Sequence, residues 1–304
     1  MIELLKNPKI NFVGVRYYAY IGSTILVVIG IVAIIFTAIG KANLGVDFAG
    51  GSLVQISFQK PVTADRLRQA LVSNNLPESE IQQMAESNRV LIRTRKAEVK
   101  GEKIDERIRK IFSQEFSGNR FVMERVEEVG PKIGKDLKTK AFWAIFWAII
   151  AITLYIAFRF EFRFGLAAAV ATLHDVLAVY GLVWITNREI TLLTITALLT
   201  LAGYSLTDTV VVFDRIRENL KLRRKEAYEV IINSSINEVL SRTIVTTLTV
   251  LLVLLALVIY GSQVTFDFCL ALLLGIVIGT YSSIYVASPI LIEWHHLAMK
   301  KIKA

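Results

Sequence analysis

The sequence has little of the chemistry on which soluble enzymes depend. It contains one cysteine, Cys269, and three histidines in 304 residues. A single cysteine excludes an intrachain disulfide, and its position in an apolar segment predicts a buried, unreactive thiol. The chain also lacks a Walker-type glycine loop, the His-Glu-x-x-His zinc motif and any cluster of metal-ligating residues. The sequence therefore predicts no enzymatic activity, no cofactor and no resident metal, and the His295-His296 pair is interpreted as an interfacial anchor.

Long apolar segments dominate the chain instead. Hydrophobic residues make up 54% of the sequence, and the mean hydropathy is +0.52, which is unusual for a soluble domain. Six segments, each near the roughly 20 residues that a spanning helix needs, are predicted to cross a membrane. They cover residues 17–39, 141–158, 164–186, 190–213, 244–260 and 266–293. The first is too long for a cleaved signal peptide and is interpreted as a retained anchor.

Lysine and arginine are distributed unevenly between the loops. When only the termini and short loops are compared and the N-terminus is cytoplasmic, lysine and arginine lie almost entirely on the inner side, and the short outer loops keep only Arg188. This bias predicts that both termini are cytoplasmic, and it accounts for most of the net charge of +9. No folded basic face typical of a nucleic-acid-binding protein is evident, so the predicted contact of the basic loops is the lipid bilayer.

The spans divide the chain into three parts. Residues 1–40 form an N-terminal tail and first span, residues 41–138 an extracytoplasmic domain, and residues 139–304 five further spans with a cytoplasmic connector at 214–243. In the middle part, period-two and helical patterns predict the order β-α-β-β-α-β, which is typical of a ferredoxin-like fold. The predicted strands are 52–58, 81–86, 89–94 and 121–129, and the predicted helices are 63–73 and 103–116. The predicted fold class is an α-helical polytopic membrane protein with one α+β ferredoxin-like domain between its first two transmembrane helices.

The connector at 214–243 contains two stretches of helical pattern, 214–220 and 227–239. The second is amphipathic, which is typical of a helix at a membrane surface. A solvated connector and a docking element are both compatible with the sequence.

One carboxylate lies where a carboxylate is expensive. Asp208 falls inside the fourth apolar segment, and a charge near the centre of a span costs about 3 kcal/mol or more. Arg242 enters the fifth segment from the same side, and Thr246 and Thr249 follow it on one helical face. Two interpretations are open. Asp208 is either a proton-coupling carboxylate tuned by the charge of Arg242, or half of a structural ion pair between helices.

A further polar pair, His174 and Asp175, lies in the third span. His174 and Asp175 are adjacent, so they point about 100° apart on a helix, and we expect them not to bond to each other. A secondary proton relay with Thr246 and a structural pair are both open for them.

Gly275 and Gly279 form a small-xxx-small pattern in the sixth span, which predicts close helix packing.

The segment that follows the first span is rich in glycine. It reads Gly45-Val-Asp-Phe-Ala-Gly-Gly51, in which Gly45, Gly50 and Gly51 permit a tight turn and Asp47 can bond to the local backbone. The sequence therefore predicts a structural hinge at this position.

Several segments together resemble the SecF family, whose members are the smaller membrane subunit of the bacterial SecDF accessory translocase. Their order and spacing carry the resemblance, which covers nearly the whole chain. The segments are Gly45–Gly51, Val129-Gly-Pro-Lys-Ile-Gly134, Leu173-His-Asp-Val176, Ala202–Asn219, Gly279-Thr-Tyr-Ser-Ser283 and Ala287-Ser-Pro289. The family belongs to the resistance-nodulation-division superfamily.

The resemblance implies a transport subunit in the bacterial inner membrane that uses the proton motive force in late steps of preprotein export. It also implies that SecD supplies a second set of six spans, and that the SecYEG channel and the translocating preprotein are partners. The essential carboxylate of the family's fourth span maps onto Asp208, and the arginine of its fifth span maps onto Arg242. Half of a small-molecule or lipid exporter of the same superfamily, and an assembly factor whose buried charges only hold helices together, are the alternatives.

Overall fold

Six helices of the chain are long and apolar enough to cross a membrane. The computed structural model describes residues 8–76, 79–83, 88–94, 98–99, 102–261 and 263–303. Five of the six candidate spans are single helices, and the sixth, Thr265–Lys300, continues through a π-helical segment. The prediction of six spans is therefore confirmed.

The chain forms two compact units. One is residues 44–142, and the other combines the residues before Leu44 with those from Trp143 onward. In chain order the elements are α1 (Arg16–Ala38), α2 (Val46–Ala49), β1 (Gly51–Phe58), α3 (Ala64–Ser73), β2 (Ser79–Gln83), β3 (Arg89–Thr94), β4 (Glu98–Val99), β5 (Glu102–Lys103), α4 (Ile104–Glu115), β6 (Phe121–Val129), α5 (Pro131–Arg159), α6 (Phe162–Ile185), α7 (Leu192–Leu222), α8 (Tyr228–Tyr260), α9 (Gln263–Ser282), a π-helix (Ser283–Ala287) and α10 (Ser288–Lys303).

The smaller unit is built on a four-stranded antiparallel sheet in the order β2-β3-β1-β6. With α3 and α4 this is the split β-α-β arrangement, so the predicted ferredoxin-like fold is confirmed. Apolar side chains of β1 and β3 pack against those of the two helices, and Ile56, Ile92, Leu67 and Phe112 are fully buried. The strand predicted at 81–86 is β2, although residues 84–86 lie outside the described part of the chain.

The glycine-rich segment forms the one-turn helix α2 and a sharp turn into β1. Gly50 and Gly51 have φ values of +72° and +114°, a backbone region that favours glycine. A Cβ on Gly50 would lie 2.9 Å from Cα of Pro131, and one on Gly134 would lie 3.1 Å from the carbonyl oxygen of Phe48. Two of the segments that resemble the SecF family therefore pack directly against each other, because their glycines leave room for backbone contact.

In the helical unit, α6, α7 and the α9–α10 continuation are the most buried helices, whereas α1, α5 and α8 are mostly exposed on this chain. The predicted connector at 214–243 is helical, as expected, but it is not separate from the spans. Instead α7 and α8 extend into it, and only residues 223–227 join them.

These extensions form a packed hairpin. The buried Asn219 side chain donates to the Ser235 hydroxyl at 2.9 Å, and Arg223 pairs with Glu238 at 2.8 Å. The Asn237 amide also exchanges two hydrogen bonds, of 2.9 and 2.8 Å, with the backbone of Ile10. The hairpin therefore packs against the N-terminal segment through α8, while residues 224–227, within the segment that joins its two helices, are exposed.

Candidate functional site

Asp208 lies on α7 in a buried position, with 6% of its surface exposed. Along the helix it is about 24 Å from Leu192 at 1.5 Å per residue. The hydroxyl of Thr280 on α9 donates to its Oδ2 at 3.3 Å. The hydroxyl of Thr247 on α8 lies 2.9 Å from that of Thr280 and is within reach of the same carboxylate. Asp208 is therefore held at a junction of three helices by two threonine hydroxyls.

This arrangement leaves the carboxylate partly unsatisfied. An ionised carboxyl group offers about four acceptor positions, and two hydroxyls occupy only part of them. Within the described part of the chain, the ion pairs do not include Asp208. The site therefore keeps capacity for a proton, a water molecule or a partner group.

Arg242 does not contact Asp208. Its side chain is exposed on α8, and it acts on the carboxylate only through a longer-range charge interaction. The interpretation of the two as a direct ion pair is therefore not supported within this chain. Thr246 and Thr249 share the exposed face of Arg242, as the helical spacing predicts.

Thr246 is likewise not brought to Asp208. Its hydroxyl donates to carbonyl oxygens of its own helix, at 3.1 Å to Arg242 and 3.0 Å to Thr243. The residue that faces the carboxylate is its neighbour Thr247, which is buried. The sequence analysis missed Thr247 and Thr280 as candidates. Thr280 belongs to the Gly279-Thr-Tyr-Ser-Ser283 segment, so the sequence did indicate that its position matters. Only the packing of α9, however, shows that its hydroxyl meets Asp208.

His174 and Asp175 do bond to each other, so the opposite prediction is wrong. Nδ1 of His174 lies 2.9 Å from Oδ1 of Asp175. Rotation about the side-chain torsions brings the two groups together although their Cα–Cβ bonds diverge. Both side chains are buried, at 4% and 0% exposure.

Asp175 lies on α6 at the centre of a second polar cluster. Its Oδ2 accepts hydrogen bonds from Ser205 on α7 at 2.5 Å and from Ser282 on α9 at 2.8 Å. With His174 this gives three partners from three helices. Nε2 of His174 is buried and has no hydrogen-bond partner among the residues that the structure describes.

Close packing of α7 against α9 connects the two carboxylate sites. A Cβ on Gly275 would lie 2.7 Å from the side chain of Leu201, and one on Gly279 would lie 2.9 Å from Cβ of Ser205. The prediction of close packing at these glycines is therefore confirmed. Contact at this distance requires glycine, and it places the segment from Thr280 to Ser282 beside both carboxylates.

The remaining candidates lie apart from these clusters. Cys269 is a buried free thiol, as predicted. His295 stacks on Tyr228 with ring centroids 4.2 Å apart, and His296 lies 3.5 Å from Glu229. Gly45, Asp47, Gly50 and Gly51 all belong to the turn at α2 in the smaller unit.

Comparison with known proteins identifies the group to which the chain belongs. The family model for the C-terminal region of the protein export membrane proteins SecD and SecF matches residues 109–297, and the model for the SecD/SecF GG motif matches residues 36–62. The protein translocase subunit SecF of Thermodesulfovibrio yellowstonii is 48% identical over 294 residues, which is 96% of this chain and 97% of that protein. The chain belongs to the SecF family. SecF of Calditerrivibrio nitroreducens, at 40% identity over 291 residues, agrees with this, covering 94% of this chain and 95% of that protein.

Two solved structures extend the comparison within the family. The crystal structure of SecDF, a translocon-associated membrane protein from Thermus thermophilus, matches 95% of this chain with a TM-score of 0.84 and 36% identity. A structure of SecDF in a super-membrane-facing form matches 99% with a TM-score of 0.71 and 37% identity. The chain spans only 39% and 41% of those two proteins. The chain is therefore a multi-pass membrane protein with the SecF fold.

Proposed function

We propose that this SecF-family chain is a non-enzymatic, proton-driven subunit of the protein translocase in the bacterial inner membrane, promoting late steps of preprotein export. Asp208 is the residue that takes up and releases the proton. The observation that carries this proposal is a buried carboxylate in a membrane span that is held by Thr280 at 3.3 Å without a neutralising ion pair within the described residues. Such carboxylates in spans commonly mark proton or ion pathways.

The two threonines give the site a way to respond to the proton. Each hydroxyl has one proton to donate. When Asp208 is ionised, Thr280 donates to it and Thr247 can donate to Thr280, across 3.3 and 2.9 Å. When Asp208 is protonated, it becomes a donor, and the same chain of hydroxyls reverses direction. The site thus accommodates both states with small movements.

The exposed polar face of α8 supports a membrane partner. Arg242, Thr246 and Thr249 are exposed on this chain although they lie in a spanning helix. Charged and hydroxyl side chains on a lipid-facing surface of a spanning helix are unfavourable, so a covered or hydrated face is favoured. SecD, which would contribute the rest of a SecDF unit, is the proposed partner at this face, and the charge of Arg242 then acts on Asp208 from the boundary between the two subunits.

Membership of the SecF family supports our proposals for the other partners and for the topology. We place the ferredoxin-like unit outside the cytoplasm, where it would assist the emerging preprotein beside SecYEG, and both termini in the cytoplasm. The basic inner loops support this orientation. His174, Asp175 and Thr246 remain candidates for a secondary proton relay in the same proposal.

The test is export in energised vesicles that contain the complete translocase. We expect Asp208→Asn to remove the stimulation of export by a proton gradient, while the complex still assembles. Asp267→Asn is the matched control, because Asp267 is a carboxylate of α9 that pairs with Arg188 at 3.4 Å, away from Asp208. Normal stimulation with Asp208→Asn would refute the proposal and favour an assembly factor, and stimulation by a sodium gradient alone would change the ion.

A further inference from the structure

The two buried carboxylates of the helical unit share the helices that hold them. Ser205 and Asp208 lie one turn apart on α7, and Thr280 and Ser282 lie two residues apart on α9. Ser282 and Ser205 donate to Asp175, whereas Thr280 donates to Asp208. Any shift of α9 along α7 would therefore change both sets of hydrogen bonds together.

Asp175 has the properties of an anchor rather than of an exchangeable site. It has no exposed surface, and its two oxygens are occupied by Ser205 at 2.5 Å, Ser282 at 2.8 Å and His174 at 2.9 Å. A buried network in which both carboxylate oxygens accept short hydrogen bonds rigidifies the elements that it joins. Asp208, by comparison, has the weaker 3.3 Å contact with Thr280.

Ser282, one of the hydrogen-bond partners of Asp175, lies close to Thr280 on α9. Ser282 is the last residue of α9, and the π-helix begins at the next residue, Ser283. The α-helical hydrogen-bond pattern changes there to a π-helical one, so Ser282 lies at the junction between α9 and its continuation. The bond from Ser282 to Asp175 therefore fixes this junction, two residues from Thr280.

We propose that Asp175 is a positioning residue for Asp208: by holding Ser205 and Ser282 on one oxygen, it sets the register of α9 against α7 and keeps the Thr280 hydroxyl on Asp208. The effect on export rests on the proposed function of Asp208. The effect on helix register does not, and the two are measured separately.

The position of Thr280 beside the Asp208 site is measured by cross-linking α9 to α8, because a shift of α9 along α7 also moves Thr280 away from Thr247 on α8. Thr247→Cys and Thr280→Cys are combined with Cys269→Ala in the membrane-inserted complex. Because the two native hydroxyl oxygens lie 2.9 Å apart, we expect the introduced thiols to form a disulfide when copper phenanthroline is added as the oxidant. Disulfide formation is followed by mass spectrometry, first in this parent and then with Ser282→Ala added, which removes one hydroxyl and leaves Asp175 with two partners.

We expect Ser282→Ala to slow cross-linking by about fivefold or more, since α9 loses a buried hydrogen bond to a carboxylate that fixes its end. Ser288→Ala is the matched control. Its hydroxyl is equally buried, but it donates to the backbone carbonyl of Ser283 at 2.8 Å and touches neither carboxylate. An unchanged rate with Ser282→Ala, or an equal slowing with Ser288→Ala, would overturn the positioning role.

Export distinguishes positioning from a separate relay. On the native background, Ser282→Ala is expected to reduce gradient-stimulated export by about threefold to tenfold, with Ser288→Ala near wild type. Added to Thr280→Val, which itself causes only a partial loss, Ser282→Ala should cause no further loss, because residues that act through one group are not additive. A further loss in the double variant would overturn the proposal.

The two proposals fail in different ways. If Asp208→Asn retains gradient stimulation, the proposed function fails, and the cross-linking rate still decides whether Asp175 sets the register of α9. If Asp208→Asn abolishes stimulation but Ser282→Ala changes neither cross-linking nor export, the positioning role fails while the proposed function stands.

Discussion

Asp175 and Asp208 are both buried carboxylates in neighbouring helices of one membrane unit, yet their surroundings differ. Asp175 has three hydrogen-bond partners at 2.5–2.9 Å, from Ser205, Ser282 and His174. Asp208 has the Thr280 hydroxyl at 3.3 Å and Thr247 beside it. Burial alone therefore does not separate a structural carboxylate from a working one. The proposed roles rest instead on the number and length of the hydrogen bonds that each carboxylate accepts.

The difference also appears in what lies beyond each site. The Asp175 cluster is closed by α6, α7 and α9, which are among the most buried helices. Asp208 lies toward α8, whose polar face with Arg242 and Thr246 is exposed on this chain. A closed network favours stability, and an open one allows exchange with a partner or with water.

The largest expected effect is on the free energy of unfolding, which should fall more when Asp175 is replaced than when Asp208 is replaced. Asp175→Ala would leave the buried Ser205 hydroxyl without its acceptor and Ser282 with only the Gly279 carbonyl at 3.1 Å, and we expect it to lower the free energy of unfolding by about 3 kcal/mol or more. Asp208→Ala, which frees fewer and weaker contacts, should cost clearly less. Denaturation of the purified protein in mild detergent measures both. Equal losses for the two variants would break the distinction between a structural and a working carboxylate.

A change in helix packing should disturb both sites at once. Gly279→Ala would place a methyl group 2.9 Å from Cβ of Ser205, and we expect overpacking to cost about 1–3 kcal/mol while lowering gradient-stimulated export. Gly203→Ala is the matched control on α7, because a Cβ there meets nothing within 4 Å of this chain. Detergent denaturation and vesicle export are compared for the pair. Tolerance of Gly279→Ala would show that the α7–α9 contact does not set the geometry of the sites.

The sequence predicted the architecture well because membrane spans and a ferredoxin-like sheet leave strong local patterns. Strand β6 was predicted at its observed bounds, and the six spans follow from apolar length. The extent of α7 and α8 was not predicted, because their polar ends continue as a hairpin whose stability comes from contacts such as Asn219 with Ser235.

The candidate site was predicted less completely, for a physical reason. Helical periodicity indicates which residues share a face, but it does not indicate which neighbour that face meets. Arg242 and Thr246 do share a face, yet it is Thr247 that lies toward Asp208. The bond between His174 and Asp175 depends on side-chain torsions, which spacing along the helix does not determine.

A substitution at Arg242 tests whether the exposed polar face of α8 affects Asp208. Arg242→Lys keeps the charge but replaces a planar fork by a compact ammonium group, and we expect about a tenfold loss of gradient-stimulated export. Arg159→Lys, at an exposed arginine near the end of α5, serves as the control. Wild-type coupling in Arg242→Lys would mean that position and geometry of this cation do not matter to Asp208.

The smallest expected effect comes from removing the Thr280 hydroxyl, which donates to Asp208. Thr280→Val keeps the shape of the side chain but removes the hydrogen bond of 3.3 Å and interrupts the hydroxyl chain to Thr247. Since one neutral hydrogen bond contributes about 1 kcal/mol, we expect roughly a threefold to tenfold loss of gradient-stimulated export with little change in assembly. Thr200→Val is the control, because the Thr200 hydroxyl is exposed and donates only to the carbonyl of its own helix at Thr196. If both valine variants export alike, the hydrogen bonds that matter to Asp208 come from water or from the partner subunit rather than from Thr280. Proton exchange would then depend on the exposed polar face of α8 and not on the Thr280 hydroxyl.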